Sequence, residues 1–206
     1  MSNEKTKVNM DPKYIIKLTV TLFITCVIVA GLLGGVNAIT ADKIAAINWE
    51  KTVEAMKAVV ADPDATEFSD ALPVTDEMSA AAAAYGTLDS IYEVQVGGQT
   101  AGYAIKVVAS GSQGNIEMMV GVDADKVITG VSIVSNSETA GIGSKVMDNE
   151  STASGVGVLS QFEGKSPADG ELVVNKGIDA ITGATVSSKG VTAGVNAALA
   201  VAAVMG

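Results

Sequence analysis

Seven consecutive residues, Thr182-Gly183-Ala184-Thr185-Val186-Ser187-Ser188, followed by Lys189, bring together four hydroxyls, one cation and two positions with little or no side chain. They stand where a loop turns into a helix expected over about 186–205. The backbone N–H groups of a first helical turn have no intrahelical acceptor and carry the positive end of the helix dipole. The hydroxyls of Thr182, Ser187 and Ser188 are able to donate to phosphate oxygens, Lys189 adds charge, and Gly183 and Ala184 leave room for a bulky group. This is the chemistry of an anion site at a helix start. The same residues also read as an ordinary Ser/Thr-capped helix behind a tight turn, and residue types alone leave both readings open.

A second segment, Ser137-Glu138-Thr139-Ala140-Gly141-Ile142-Gly143, reads by itself as a glycine-rich turn from strand to helix. Asp123-x-Asp125 hints at calcium, but the rest of an EF-hand loop and its terminal Glu are missing, so a hairpin turn is the better account.

Composition narrows the chemistry. The 13 basic residues are all lysines and face 23 acids, a net charge of -10 that repels nucleic-acid phosphates. Histidine is absent and Cys26 is the only cysteine, so zinc, haem and iron–sulfur ligand sets, and any Ser-His-Asp mechanism, are excluded for this chain alone. Redox chemistry would have to come from an organic cofactor.

The elements that position these residues begin with an anchor. From Leu18 to Val36 nineteen residues carry no charge, enough to cross a hydrocarbon core of about 30 Å. A cleaved signal peptide, with Val36-Asn37-Ala38 as its cut site, has an apolar region of only about 7–15 residues, which favours an uncleaved span. Lys5, Lys7, Lys13 and Lys17 precede the span, which places residues 1–17 in the cytoplasm. Everything after Val36, nine lysines against twenty-one acids, is then an acidic domain on the outer face.

Ile44, Ile47, Val53, Met56 and Val60 recur at helical spacing over 40–60, and Asp62-Pro63 ends that pattern. Residues 62–89, with Pro63, Pro73 and the run Ala80–Ala84, read as a connector with one short helix rather than a buried strand. Ile91–Val96 and Ala101–Ala109 alternate around Gly97-Gly98-Gln99 as a hairpin, and residues 115–122 and 127–134 form a second pair. In the last helix Val191, Val195, Leu199 and Ala202 share a face, beside Gly190, Gly194 and Ala198, whose small size lets the backbone approach a sheet. Only about fifteen apolar residues follow Lys189, too few for a second span. The expected fold is α+β: a cytoplasmic segment (1–17), a transmembrane helix (18–36), a linker helix and connector (37–90), and an extracytoplasmic domain (91–206) whose antiparallel sheet is packed by helices.

Asp179-x-x-Thr182-Gly183-Ala184-Thr185 resembles the pattern by which flavin transferases mark the FMN-bearing threonine in the family that unites the G subunit of Rnf complexes with the C subunit of the Na+-translocating NADH:quinone reductase. The segment Glu138-Thr139-Ala140-Gly141-Ile142-Gly143 is similar to that family's Glu-Thr-Pro-Gly-Leu-Gly loop beside the isoalloxazine, with Ala140 for proline and Ile142 for leucine. The order of parts matches too, and the short chain looks more like the Rnf G subunit than its longer quinone-reductase counterpart.

The resemblance implies FMN held covalently through its phosphate on the Thr185 hydroxyl, with Asp179, Thr182, Gly183 and Ala184 as the modification signal. It also implies cofactor contacts from Thr182, Gly183, Ala184, Val186, Ser187, Glu138, Thr139, Gly141 and Gly143. The implied role is an electron-carrying subunit of a membrane-bound, ion-translocating ferredoxin:NAD+ oxidoreductase, with other Rnf subunits as partners, a flavin transferase for maturation and no standalone catalysis. The alternative from another class is a membrane-anchored, noncatalytic exported domain that binds a partner protein or small anion at the same helix terminus.

Overall fold

A computed structural model of the chain describes residues 12–64 and 66–205. The first eleven residues of the segment expected in the cytoplasm, Lys5 and Lys7 included, lie outside the described residues. The chain divides into two compact units, the second beginning at Glu50.

Helix α1 runs without a break from Pro12 to Ala58, so the expected membrane and linker helices are one element. Its apolar stretch is long enough to span a membrane, and none of it is buried among the described residues. Phe23 and Leu33 are about two-thirds exposed, at 67% and 66%. The hydroxyls of Thr19, Thr21 and Thr25 donate to the carbonyls of Ile15, Lys17 and Thr21 at 2.8–2.9 Å. Internal satisfaction of this kind is what a helix in hydrocarbon requires of its polar side chains.

The second unit is built on a five-stranded antiparallel sheet in the order β1-β2-β3-β4-β5: Thr66–Ala71, Thr87–Val96, Gln99–Ser110, Asn115–Asp123 and Ile128–Ser135. The two expected hairpins are β2–β3 and β4–β5, with Val96 opposite Gln99 and Val122 opposite Ile128 fixing the register. The segment read as a connector is corrected here. It supplies α2 (Asp76–Ala82), the expected short helix with Thr75 as its cap, but also the edge strand β1 and the first residues of β2. Thr-Glu-Phe-Ser-Asp-Ala has little apolar character because an edge strand of this kind is half exposed.

Alternation sorts the strands into two faces. Ile105, Val107, Ile116, Met118 and Val120 point to one, where Val191, Val195, Ala198 and Ala202 of α4 (Thr185–Val204) cover them. Tyr92, Val94, Ala104 and Met119 point to the other, under Ala55, Met56 and Val59. Both coverings depend on glycine. A Cβ at Gly190 would meet the Ser110 carbonyl oxygen at 2.6 Å, and one at Gly194 the Met118 sulfur at 2.6 Å, so α4 lies directly on the sheet. Across β4 and β5 the paired Gly121 and Gly130 leave the hollow that receives Val59, whose carbonyl accepts the Thr129 hydroxyl at 2.6 Å.

The β4–β5 turn is fully engaged. Asp123 Oδ1 accepts the N–H groups of Asp125 and Val127, each at 2.9 Å, and Lys126 Nζ donates to the Met205 carbonyl at 2.6 Å, closing the end of α4. Between β5 and α4 the chain forms the one-turn helix α3 (Ser144–Met147), two short 3-10 turns (Ser160–Phe162 and Pro167–Asp169), and a small parallel pair, β6 (Val173–Val174) and β7 (Gly177–Ile178).

Candidate functional site

Helix α4 opens at Thr185 with no side chain capping it. The turn before it depends on Gly183, at φ +85°, a conformation that side chains disfavour. Ala184 donates its N–H to Ile181 at 2.9 Å and accepts from Ser188, which ties the turn to the helix. Thr182, Gly183, Thr185, Val186 and Lys189 are exposed, and Ala184, Ser187 and Ser188 are buried. The Thr182 and Thr185 hydroxyls and the Lys189 ammonium have no hydrogen-bond or ion-pair partner among the described residues. An open hydroxyl therefore stands at the first position of a helix whose leading N–H groups have no intrahelical acceptor.

The hydroxyls of the two serines expected as phosphate donors have partners within the chain. The Ser188 hydroxyl donates to Ala184 at 3.1 Å, and that of Ser187 to Glu138 Oε2 at 2.5 Å. The donors left for an anion are the backbone N–H groups, Thr182 and Lys189.

Glu138 links three segments. Its Oε1 accepts the N–H groups of Ser112, at 2.6 Å, and Gln113, at 3.1 Å, in the β3–β4 turn, while Oε2 holds Ser187 of α4. Two glycines form its seat. A Cβ on Gly111 or Gly143 would run into a Glu138 carboxylate oxygen, and the one on Gly143 would also meet Ser187 Oγ at 2.9 Å. Partial burial pushes the Glu138 carboxyl up, but the bonds from Ser187, Gln113 and Ser112 outweigh it and hold the carboxyl below the ordinary glutamate range. It is ionised at neutral pH.

The rest of the glycine loop folds on itself. Gly141, at φ +75°, donates its N–H to Ser144 Oγ at 2.8 Å, and Ile142 and Ser144 donate theirs to the Thr139 carbonyl. Thr139 and Ile142 face outward, Ile142 at 51% exposure and Val186 at 57%. These apolar side chains adjoin in sequence the pair that brings loop and helix together, Gly143 and Ser187. On the Val186 and Lys189 face of α4 there is also an open cleft of about 310 Å³, walled by Tyr85, Gly86, Ser110 and Asn115.

Asp179 lies six residues before Thr185, with its backbone held by Gln161 and its side chain exposed. Residue types give no warning of Gly111, Ser112, Gln113 or Gln161, because their parts in the site depend on contacts across 18–27 residues.

A sequence profile described as the FMN-binding domain matches residues 111–200, from the seat of Glu138 through most of α4. The chain is 38% identical to the G subunit of the Na+-translocating ferredoxin:NAD+ oxidoreductase complex of Acetobacterium woodii, over 96% of each chain. It is 31% identical to the G subunit of the ion-translocating oxidoreductase complex of Methanosarcina acetivorans, over 92% of this chain and 95% of that one. Among solved structures, the C subunit of a Na+-translocating NADH-quinone reductase from Parabacteroides distasonis is 19% identical, with 80% of this chain and 94% of that one covered and a TM-score of 0.47.

Proposed function

Because the chain belongs to the family of G subunits of ion-translocating oxidoreductase complexes, we propose that it carries electrons through FMN bound covalently, by its phosphate, to the Thr185 hydroxyl. The coarser role, an electron-transport subunit with an FMN-binding domain and an amino-terminal membrane helix, is common ground for everything that follows. The reaction assigned to the complex is ferredoxin:NAD+ oxidoreduction coupled to ion transport, with the other Rnf subunits as partners. The amino end lies in the cytoplasm and the acidic domain on the outer face.

The observation that carries the covalent reading is the open Thr185 hydroxyl at the uncapped start of α4. The residues there fit a flavin mononucleotide. The leading N–H groups of α4, the Thr182 hydroxyl and Lys189 would hold the phosphate. Gly183 and Ala184 add almost no bulk beside it. Ile142, Val186 and Thr139 offer an exposed, partly apolar surface to the ring, and Glu138 fixes the loop that bears two of them against the helix.

FMN, when bound, supplies the electron acceptance and donation that no side chain here offers. The chain's own residues tether, orient and set the local charge. The ionised Glu138 and the acidic domain disfavour added negative charge on a nearby ring, which lowers its potential. A covalent tether retains a cofactor that sits at the surface of its domain.

The test is denaturing electrophoresis of the full chain coexpressed with a flavin transferase and exported. A fluorescent band and the flavin mass increment are expected, and both should vanish in Thr185→Val. A wild-type chain that stays dark under these conditions supports the noncatalytic anion- or partner-binding domain instead.

A further inference from the structure

Gln161 grips the backbone of Asp179 with both ends of its amide. Oε1 accepts the Asp179 N–H at 2.7 Å, and Nε2 donates to the Asp179 carbonyl at 3.0 Å. One side chain thus provides the pairing that a neighbouring strand would provide, across eighteen residues.

The grip is itself anchored. Gln161 lies in the 3-10 turn Ser160–Phe162, next to the fully buried Phe162. Asn149 Oδ1 accepts the N–H groups of Leu159 and Ser160, at 2.7 and 3.3 Å. On either side of Asp179 the buried Ile178 and Ile181 pin this segment to the core. The Asp179 carboxylate, by contrast, is exposed and has no partner among the described residues. Its main chain is held at two atoms while its charge is left free.

We propose that Gln161 is a positioning residue for flavin attachment, which presents the Asp179 carboxylate in a fixed place to a cationic group of the flavin transferase. The inference rests on the reading of Thr185 as the FMN-bearing residue. In the transfer, the Thr185 oxygen forms a phosphoester bond to the FMN phosphorus. The phosphoanhydride bond of a flavin dinucleotide donor breaks, the nucleoside monophosphate leaves, and the hydroxyl proton passes to solvent. Nothing is oxidised or reduced. Gln161 takes no part in the bond exchange; it removes the need to order Asp179 when the two proteins meet.

The experiment measures initial rates of flavin transfer to the full chain in detergent, with a purified flavin transferase and the dinucleotide donor. Wild type, Gln161→Met, Asp179→Ala and the double variant are compared, and Thr185→Val serves as the blank. Gln161→Met has nearly the shape of glutamine but cannot make either bond. It should lower kcat/KM for the acceptor chain roughly tenfold, mainly through KM, the equivalent of about 1.4 kcal/mol. Asp179→Ala should lower it at least as far, and Gln161→Met should add nothing in that background, because its only effect runs through the carboxylate. A Gln161→Met rate equal to wild type, or losses that simply multiply in the double variant, overturns the proposal. A wild-type chain that takes up no flavin overturns the reading of Thr185 itself, so the two failures are distinct.

Discussion

The Ser187 hydroxyl donates to Glu138 Oε2 at 2.5 Å, joining the third residue of α4 to a loop 49 positions earlier in the chain. The other carboxylate oxygen takes two N–H groups from the β3–β4 turn. The partly buried carboxylate thus binds the glycine loop, the turn and the helix start together.

Glu138→Ala leaves three donors without their acceptor and should destabilise the domain by about 2–3 kcal/mol. Glu138→Gln keeps the shape and should cost less. The folded-state pKa of Glu138 is depressed, so its contribution is complete above the ordinary glutamate pKa and is lost as pH falls through the lower folded value. Urea unfolding over that acid range should show wild type losing more stability than Glu138→Gln, and equal slopes would contradict the assignment.

The same substitution should act on the cofactor. With the Glu138 charge removed, the midpoint potential of bound FMN should rise by about 30 mV, which for a two-electron couple corresponds to about 1.4 kcal/mol. Potentiometric titration of the flavinylated chain measures this, and an unchanged or lower value would count against Glu138 as a source of negative field.

Gly143→Ala places a methyl group 2.8 Å from Glu138 Cβ and 2.9 Å from Ser187 Oγ. Neither neighbour is free to retreat, because each holds the other. A loss of about 1–3 kcal/mol in thermal or urea unfolding is expected. Gly141→Ala is a different case, with open space around it and only its φ of +75° to resist a side chain, so its cost should be smaller.

Gly121→Ala acts on the opposite face of the sheet. Its methyl would meet Thr129 Oγ1 at 2.6 Å and Val59 Cβ at 2.9 Å, and would also crowd the Val59 carbonyl. The end of α1 should lift from the hollow it shares with Gly130, at a cost of about 1–3 kcal/mol. Faster protease cleavage between residues 58 and 66 is the expected sign, and unchanged cleavage kinetics would show that the hollow adapts.

Lys126→Met removes the ammonium that reaches the Met205 and Ala203 carbonyls, at 2.6 and 3.4 Å. The loss at this helix end should be about 0.5–1 kcal/mol, read from thermal unfolding, with flavin attachment at the far end of α4 unaffected.

Much of the architecture was legible because its causes are local. Nineteen uncharged residues announced the membrane helix, alternation and glycine turns announced both hairpins, and Gly190 and Gly194 announced a helix lying directly on a sheet. The strand β1 escaped notice because Thr66–Ala71 is a polar edge that owes its place to pairing with β2 rather than to any pattern of its own.

The sequence alone determined the order of parts, the lack of histidine and cysteine ligand sets for zinc, haem or iron–sulfur clusters, and the position of Thr185 at a helix start, since composition and short-range periodicity settle these. Tertiary structure decided which hydroxyls stay open. Thr182 and Thr185 are open, while Ser187 and Ser188 are engaged, and residue type cannot separate them. It also decided that Glu138 sits in a socket made by Gly111 and Gly143, and that Gln161 holds Asp179. Those relationships join residues far apart in the chain, and only the packing of the sheet against α4 and the loops brings their atoms within hydrogen-bonding range.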